Sequence, residues 1–324
     1  RAMMYVGRSN MDTAKKFSRT GNPQPHEMVY QIGAMHAKFA VDTWEARNGV
    51  CYDVDKETRR SIVRRGAIPY EGVILIAPYK HGKTEWACAY TAMELNLRPS
   101  LTQAVMLHAV DKQAAQNKKY VSNWFDPNES FGRRNLSLWP SKVIQTNATL
   151  LRLEAARSLK SPSLTAAGVM SSSLGINTNF QAFDDVVPQS DVDEPTERDR
   201  RKRIIAGTWS TRQRGQNTFR LAIGTLWHHG DALMWMIEQA RLWKKTQGRQ
   251  GVCYLVSRQA CGGPKEAFKP LWPEVYPASD LRKMYNEMGS ALYSAGYMAN
   301  PIEESRRIIK RLRLYDPTDR NESA

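Results

Sequence analysis

The sequence predicts an α/β fold, a mainly parallel sheet with helices on both faces, and three observations predict it. Strand-like and helix-like stretches alternate from Glu71 to about Ser257, the order that builds a parallel sheet from strand–helix–strand units. The apolar run Val73-Ile74-Leu75-Ile76 passes through a short loop into Gly82-Lys83-Thr84 and a helix-like stretch. A second, mostly apolar run, Phe180-Gln181-Ala182-Phe183, ends in two adjacent carboxylates, Asp184 and Asp185. At 324 residues the chain suffices for one large domain, or a domain with a smaller appendage.

Residues 1–70 mix helical stretches, such as Gln31 to Ala46, with polar turns around Asn22-Pro23-Gln24-Pro25. They carry no chemical motif and are expected to pack beside the core, where they could add an adenine pocket. The core follows over residues 71–258.

Its first strand, Val73 to Ala77, leads into Ala77-Pro78-Tyr79-Lys80-His81-Gly82-Lys83-Thr84 and a helix from Thr84 to Leu95. This matches the phosphate-binding loop GxxxxGK[ST] except at the first position, where Ala77 replaces glycine. Backbone N–H groups of such a loop form an anion cradle, and the helix N-terminus adds partial positive charge. Lys83 is placed to reach the outer phosphates of a bound nucleotide and the Thr84 hydroxyl to ligate Mg²⁺. Candidates for nucleotide contact are Ala77, Gly82, Lys83 and Thr84 of the pattern, with Lys80, His81 and Glu85 beside them, and ATP is the expected ligand. The plain alternative is a Lys and a Thr at an ordinary strand-to-helix turn.

A strand at Ala104 to His108, a helix at Asp111 to Trp124 and a strand at Leu164 to Met170 come next. The strand Phe180 to Phe183 then delivers the acidic pair, 100 positions after Thr84. A phosphate loop needs such a partner. Asp184 reads as the outer-shell Mg²⁺ carboxylate and Asp185 as the general base that positions the attacking water. Alone, an Asp-Asp pair reads equally as a loop or a helix cap.

A helix at Pro195 to Ala206 precedes Phe219-Arg220-Leu221-Ala222-Ile223-Gly224, whose alternation and β-branching predict another core strand. Thr225 emerges at its end, where a hydroxyl could sense the terminal phosphate, or simply form a turn. A helix at Asp231 to Lys244 and a strand at Val252 to Val256 complete the core. If a further strand separates the loop-bearing and acid-bearing strands, the chain falls in the additional-strand (RecA-like) class of P-loop NTPases, with its site at the strands' carboxyl ends.

Residues 259–324 break the pattern. Cys261-Gly262-Gly263-Pro264 and Pro270, Pro273 and Pro277 keep the chain irregular, and helical periodicity from Ser279 to Leu314 predicts a small helical C-terminal appendage or lid. The tail from Asp316 reads as a polar linker.

Charge and cysteine usage narrow the classes. Lys plus Arg total 47 against 32 Asp plus Glu, a net charge of +15, which favours a polyanionic partner such as double-stranded DNA. The excess clusters at Arg198 to Arg203, at Arg241 to Arg249 and at Arg306 to Arg313, any of which could equally be a solvated helix face. The four cysteines, Cys51, Cys88, Cys253 and Cys261, lack metal-site spacing and are expected as thiols. No run is long and apolar enough to predict a membrane span, the start lacks a signal-peptide profile, and beginning at Arg1 suggests a fragment.

Three segments, taken in order, resemble the ATPase motifs of tailed-bacteriophage terminase large subunits: Ala77 to Glu85, Phe183-Asp184-Asp185-Val186-Val187, and Gly224-Thr225-Leu226-Trp227-His228-His229-Gly230-Asp231. A fainter match lies at Gly296-Tyr297-Met298-Ala299-Asn300-Pro301. The resemblance implies an ATP-hydrolysing motor that packages double-stranded DNA, with Lys80 on the nucleotide phosphates and Thr225 coupling hydrolysis to movement. It further implies a ring of subunits, a pentamer on the capsid, with a portal protein and a small terminase subunit as partners, in host cytoplasm and docked on the procapsid. Leu226 and Ile176 stand where the family often carries arginine, so the arginine acting in trans is left among Arg152, Arg157, Arg198 and Arg212. The nuclease domain of that family is expected to be absent. A helicase or recombinase of the same fold class, or a basic DNA-binding adaptor with a degenerate nucleotide site, are the rival readings.

Overall fold

The structure, a computed structural model, describes residues 34–48, 51–54, 61–64, 70–126, 141–171, 178–192, 194–211, 218–247 and 254–301. Helix α1 (Ala34–Asn48) is followed by an antiparallel pair, β1 (Cys51–Val54) and β2 (Ser61–Arg64), which the sequence reading did not foresee. The core then runs β3 (Gly72–Ile76), α2 (Lys83–Leu97), β4 (Ala104–His108), α3 (Asp111–Asn123), β5 (Val143–Thr146), β6 (Leu150–Leu153), β7 (Leu164–Gly168), β8 (Phe180–Asp184), α4 (Pro195–Thr211), β9 (Phe219–Gly224), α5 (Ala232–Gln247) and β10 (Tyr254–Arg258). Two short helices, α6 (Ala278–Met288) and α7 (Ser290–Gly296), close the described part.

Eight strands form one sheet in the order β10-β3-β9-β8-β4-β7-β6-β5. The first six are mutually parallel, and β6 and β5 add an antiparallel hairpin at one edge. Strand β9 lies between β3 and β8, hydrogen-bonded to both, so the strand carrying the loop and the strand carrying the acidic pair stand one strand apart. This is the α/β, additional-strand arrangement expected from the sequence.

Burial on both faces explains why a strand such as β3 reads as an unbroken apolar run. In β3, Val73 and Leu75 face a core shared with Phe39 of α1 and with Trp86 and Tyr90 of α2. Ile74 and Ile76 face the opposite core, with Ile205 of α4 and with Leu233, Met236 and Ile237 of α5. Helix α1 is tied to the core by Arg47 Nε–Glu94 Oε1 (3.2 Å), by Gln259 Nε2 donating to Met35 O (3.2 Å) and by Ser257 donating to Asp42.

Two departures from the expected elements have plain causes. The β5–β6 hairpin was missed because β5 is a four-residue edge strand with mostly exposed side chains and no apolar alternation. Its turn is held by Asn147, whose Oδ1 accepts from the N–H groups of Thr149 and Leu150 at 2.9 and 2.8 Å. The helical stretch from Ser279 is not continuous: Gly289, at φ 80°, ends α6 and starts α7. Beyond residue 301 that stretch, with its basic run, lies outside the described residues.

Candidate nucleotide site

The carboxyl ends of β3, β9 and β8 converge on the predicted loop. Between β3 and α2 the backbone takes left-handed conformations at Lys80 (φ 57°) and Gly82 (φ 70°). Glycine adopts this at little cost, whereas at Lys80 it is strained and is held by contacts described below. Gly82 is the residue from which α2 starts, and its carbonyl accepts the N–H of Trp86 at 3.1 Å.

Lys83 is buried at the start of α2. Its ammonium donates to Pro78 O at 2.9 Å and stands 3.8 Å from Asp185 Oδ2. Next to it, Thr84 Oγ1 donates to Asp184 Oδ1 at 3.2 Å. The structure thus brings together the four residues expected to bind phosphate, hold a cation and position water. Glu85, by contrast, is exposed on the first turn of α2.

Asp184 and Asp185 are adjacent in sequence and opposite in environment. Asp184 is fully buried at the end of β8, with Thr84 on one oxygen and Asn117 Nδ2 on the other at 2.8 Å. Burial, then the neighbouring Asp185 charge, push it up to about 8, against the hydroxyl and amide donors and the Lys83 charge. Asp185 leaves the strand with φ 40° and a side chain 29% exposed. Its Oδ1 accepts the N–H of Thr225 at 3.2 Å, and its own N–H donates to Ile223 O at 3.0 Å. A side chain on Gly224 would meet Asp185 Oδ1 at 3.3 Å and Leu233 Cδ2 at 3.2 Å, so this glycine permits the close approach of β9 to the acidic turn.

Thr225 is buried, with its hydroxyl 3.4 Å from Ala77 O. Ala77 N–H donates to Gly224 O at 3.2 Å, which ties the first residue of the loop to the third motif. Asp231 organises the rest of that motif. Its Oδ2 accepts the N–H groups of Trp227 and His228, both at 3.1 Å, and its Oδ1 caps α5 by accepting Met234 N–H at 2.7 Å. Burial outweighs these bonds and raises its carboxyl to about 6.

His81 and Lys80 part company. His81 Nδ1 lies 2.8 Å from Tyr79 O and so carries the proton, leaving Nε2 toward Cys261 Sγ at 3.6 Å. The ring stacks on Tyr276 at 4.7 Å and 15°, and burial lowers its pKa to about 4. The His81 side chain therefore faces the C-terminal segment, and only its backbone lies in the loop. The Lys80 ammonium is exposed, 5.5 Å from the Tyr79 ring centre, and free of the packing that holds His81.

Sequence reasoning missed the close fit of residues 259–301 to the loop. Tyr276 OH donates to Lys80 O at 3.2 Å, Tyr79 N–H donates to Gly296 O at 2.8 Å, and Gln259 N–H donates to Ile76 O at 2.9 Å. The faint motif starting at Gly296 thus lies against the loop and against Trp227, which a side chain on Gly296 would meet at 3.4 Å. Asn117 was also missed, because a mid-helix asparagine carries no pattern.

The described arginine candidates each have a partner within the chain, and Arg198 Nε would lie 3.8 Å from a side chain on Gly230 of the third motif. Arg152 donates to Leu159 O at 2.7 Å, Arg157 pairs with Glu154 at 3.2 Å, and Arg198 donates to Asp191 O at 3.2 Å. Arg212 and Ile176 lie outside the described residues, as do the side chains of Arg241 to Arg249. Leu226, standing where the family often has arginine, is buried among α5 residues. In the Arg198 to Arg203 cluster, Arg201 is buried on Asp191 at 2.6 Å, and Arg200 and Lys202 pair with Glu197 and Asp199 at 3.6 and 3.2 Å.

The donors offered to a cation are a hydroxyl and a carboxylate, hard oxygen ligands of the kind Mg²⁺ takes alongside water and substrate phosphate. No group of three or more His, Cys, Asp or Glu side chains forms a metal cluster among the described residues, and no described helix is long and apolar enough to cross a membrane. Cys88 and Cys261 are buried thiols, and burial raises both, Cys261 to about 11.

No family model matches the chain, and no curated protein matches it. Among solved structures it is similar to the ATPase domain of the large terminase of Thermus phage P74-26, at 15% identity and a TM-score of 0.45, over 80% of this chain and 97% of that one. An arginine-to-alanine variant of the same domain gives 16% identity and a TM-score of 0.44 over the same shares.

Proposed function

We propose that this chain is a Mg²⁺-dependent ATPase, the motor domain of a viral DNA-packaging terminase that translocates double-stranded DNA into a procapsid. One observation carries the ATPase part: residues of two distant segments meet as two pairs, Thr84 on Asp184 at 3.2 Å and Lys83 beside Asp185 at 3.8 Å. The order of the three motifs and the net charge of +15 support the packaging part.

Lys83 and Lys80 would bind the phosphates, and the loop N–H groups would orient them. Thr84 would hold the Mg²⁺ directly and Asp184 through water, and the cation supplies charge neutralisation across the phosphate oxygens. Asp185, the more exposed carboxylate, would orient the attacking water and take its proton at a carboxylate oxygen. Thr225, bonded to both the loop and Asp185, is placed to register their movement as the phosphate leaves.

On this reading the protein works in the host cytoplasm as a ring, a pentamer docked on the procapsid, with a portal protein and a small terminase subunit as partners. A neighbouring subunit would supply an arginine in trans, so an isolated subunit turns over slowly, by a factor of about 10³ to 10⁵. ATP turnover with and without double-stranded DNA, alongside a strand-separation assay, tests this. DNA-stimulated hydrolysis without unwinding is expected. Unwinding would place the chain among helicases, and bound nucleotide without turnover would make it a non-catalytic adaptor.

A further inference from the structure

The two oxygens of Asp184 have different donors, and only one of them belongs to a recognised motif. Thr84 donates to Oδ1, and Asn117 Nδ2 donates to Oδ2 at 2.8 Å from the middle of α3. Asparagine is a mediocre helix former that competes for backbone hydrogen bonds, so its interior position here is not a matter of propensity. It is 6% exposed, with its amide turned inward onto the carboxylate.

Helix α3 is fixed on three sides around that amide. At its start, Asp111 Oδ1 accepts the N–H of Gly168, at the end of β7, at 2.6 Å. In its middle, Asn117 O accepts the thiol of Cys88, on α2, at 3.6 Å. The neighbouring Lys118 donates to Asn147 O at 2.6 Å and to Thr146, in the turn of the edge hairpin. An amide held this firmly fixes the rotation of the carboxylate it bonds.

Resting on the ATPase reading above, we propose that Asn117 is a positioning residue for the nucleotide-bound cation. By occupying Oδ2 it turns Oδ1 toward Thr84 and the phosphate loop, where the cation's water shell would be met. It acts through Asp184 and touches neither nucleotide nor cation. Partners of this kind set metal affinity by holding the ligand in its productive orientation.

The test is binding of a fluorescent ADP analogue, first in EDTA and then across a Mg²⁺ titration, to the parent, Asn117→Leu and Asn117→Ala. Asn117→Leu keeps the volume and removes the donor. The expected result is metal-free affinity within about twofold of the parent and a Mg²⁺ midpoint raised about 10- to 100-fold. An unchanged Mg²⁺ midpoint in a variant that binds metal-free ADP overturns the proposal. So does loss of metal-free binding in both variants, which would make Asn117 a residue of the fold. A parent that binds no ADP at any Mg²⁺ concentration overturns the ATPase reading itself, and this inference with it.

Discussion

The ammonium of Lys83 stands 3.8 Å from the carboxylate of Asp185, so the expected phosphate-binding lysine and the expected general base are paired across two strands that are not neighbours. The same ammonium donates to Pro78 O at 2.9 Å, which holds it within the loop. An entering phosphate would compete with both partners. Lys83→Ala is expected to weaken nucleotide binding by about 2–5 kcal/mol, the cost of truncating one member of a buried charge pair. Titration calorimetry with ADP measures it.

Thr225 separates two roles that lie in one residue. Its backbone N–H holds Asp185 and survives any substitution except proline, whereas its hydroxyl bonds Ala77 O. Thr225→Ala is therefore expected to keep ATP affinity and to lower turnover about tenfold, the worth of one hydrogen bond in the transition state. Thr225→Ser should restore it. Steady-state kinetics of the three proteins resolve KM from kcat.

Asp231 is expected to tolerate neither alanine nor asparagine. Alanine removes three accepted N–H bonds, and asparagine turns an NH₂ toward the N–H groups of Trp227 and His228, or toward that of Met234 if flipped. Either change should cost about 1–3 kcal/mol, read from denaturant unfolding. The carboxyl is raised to about 6 in the fold, so the part of its contribution that depends on its proton is fully present below the unfolded value near 3.8 and is lost as pH rises through 6. The Asp231→Ala protein should lack that downward slope.

His81 works in the opposite sense. Its imidazole is held neutral by burial, with a pKa near 4 against 6.5 when unfolded. Its stabilising contribution is present above 6.5 and is lost as pH falls toward 4. His81→Phe keeps a ring on Tyr276 and removes the titration. Between pH 7.5 and pH 5 the melting temperature of the parent should fall relative to that of the variant, and a constant difference would contradict the assignment.

Much of this site was legible because its chemistry is local in sequence. The loop needs a strand, a left-handed glycine and a helix start in immediate succession, and Ile76, Gly82 and Lys83 supply them in one stretch. The sheet was legible for a related reason: strands buried on both faces write apolar runs, unbroken in β3 and interrupted only by Gln181 in β8, before its terminal Asp184, and by Arg220 in β9. What escaped was whatever depends on contacts between distant segments. His81 is expected at the nucleotide along with its neighbours; its ring turns to Tyr276, 195 positions later, and no pattern near His81 encodes that. Asn117 and the edge hairpin left no trace for the same reason, since a single inward amide and a four-residue exposed strand have no period.

Whether Asp185 positions the water of an ATP-hydrolysing site is read from Mg²⁺-dependent ATP turnover by the parent beside Asp185→Asn. The measurement should span protein concentrations over which a ring assembles, with nucleotide binding followed in parallel. Bound nucleotide is expected in both proteins, with a loss of turnover of about 10² or more in the variant. Equal turnover in the two would contradict it and move the base elsewhere.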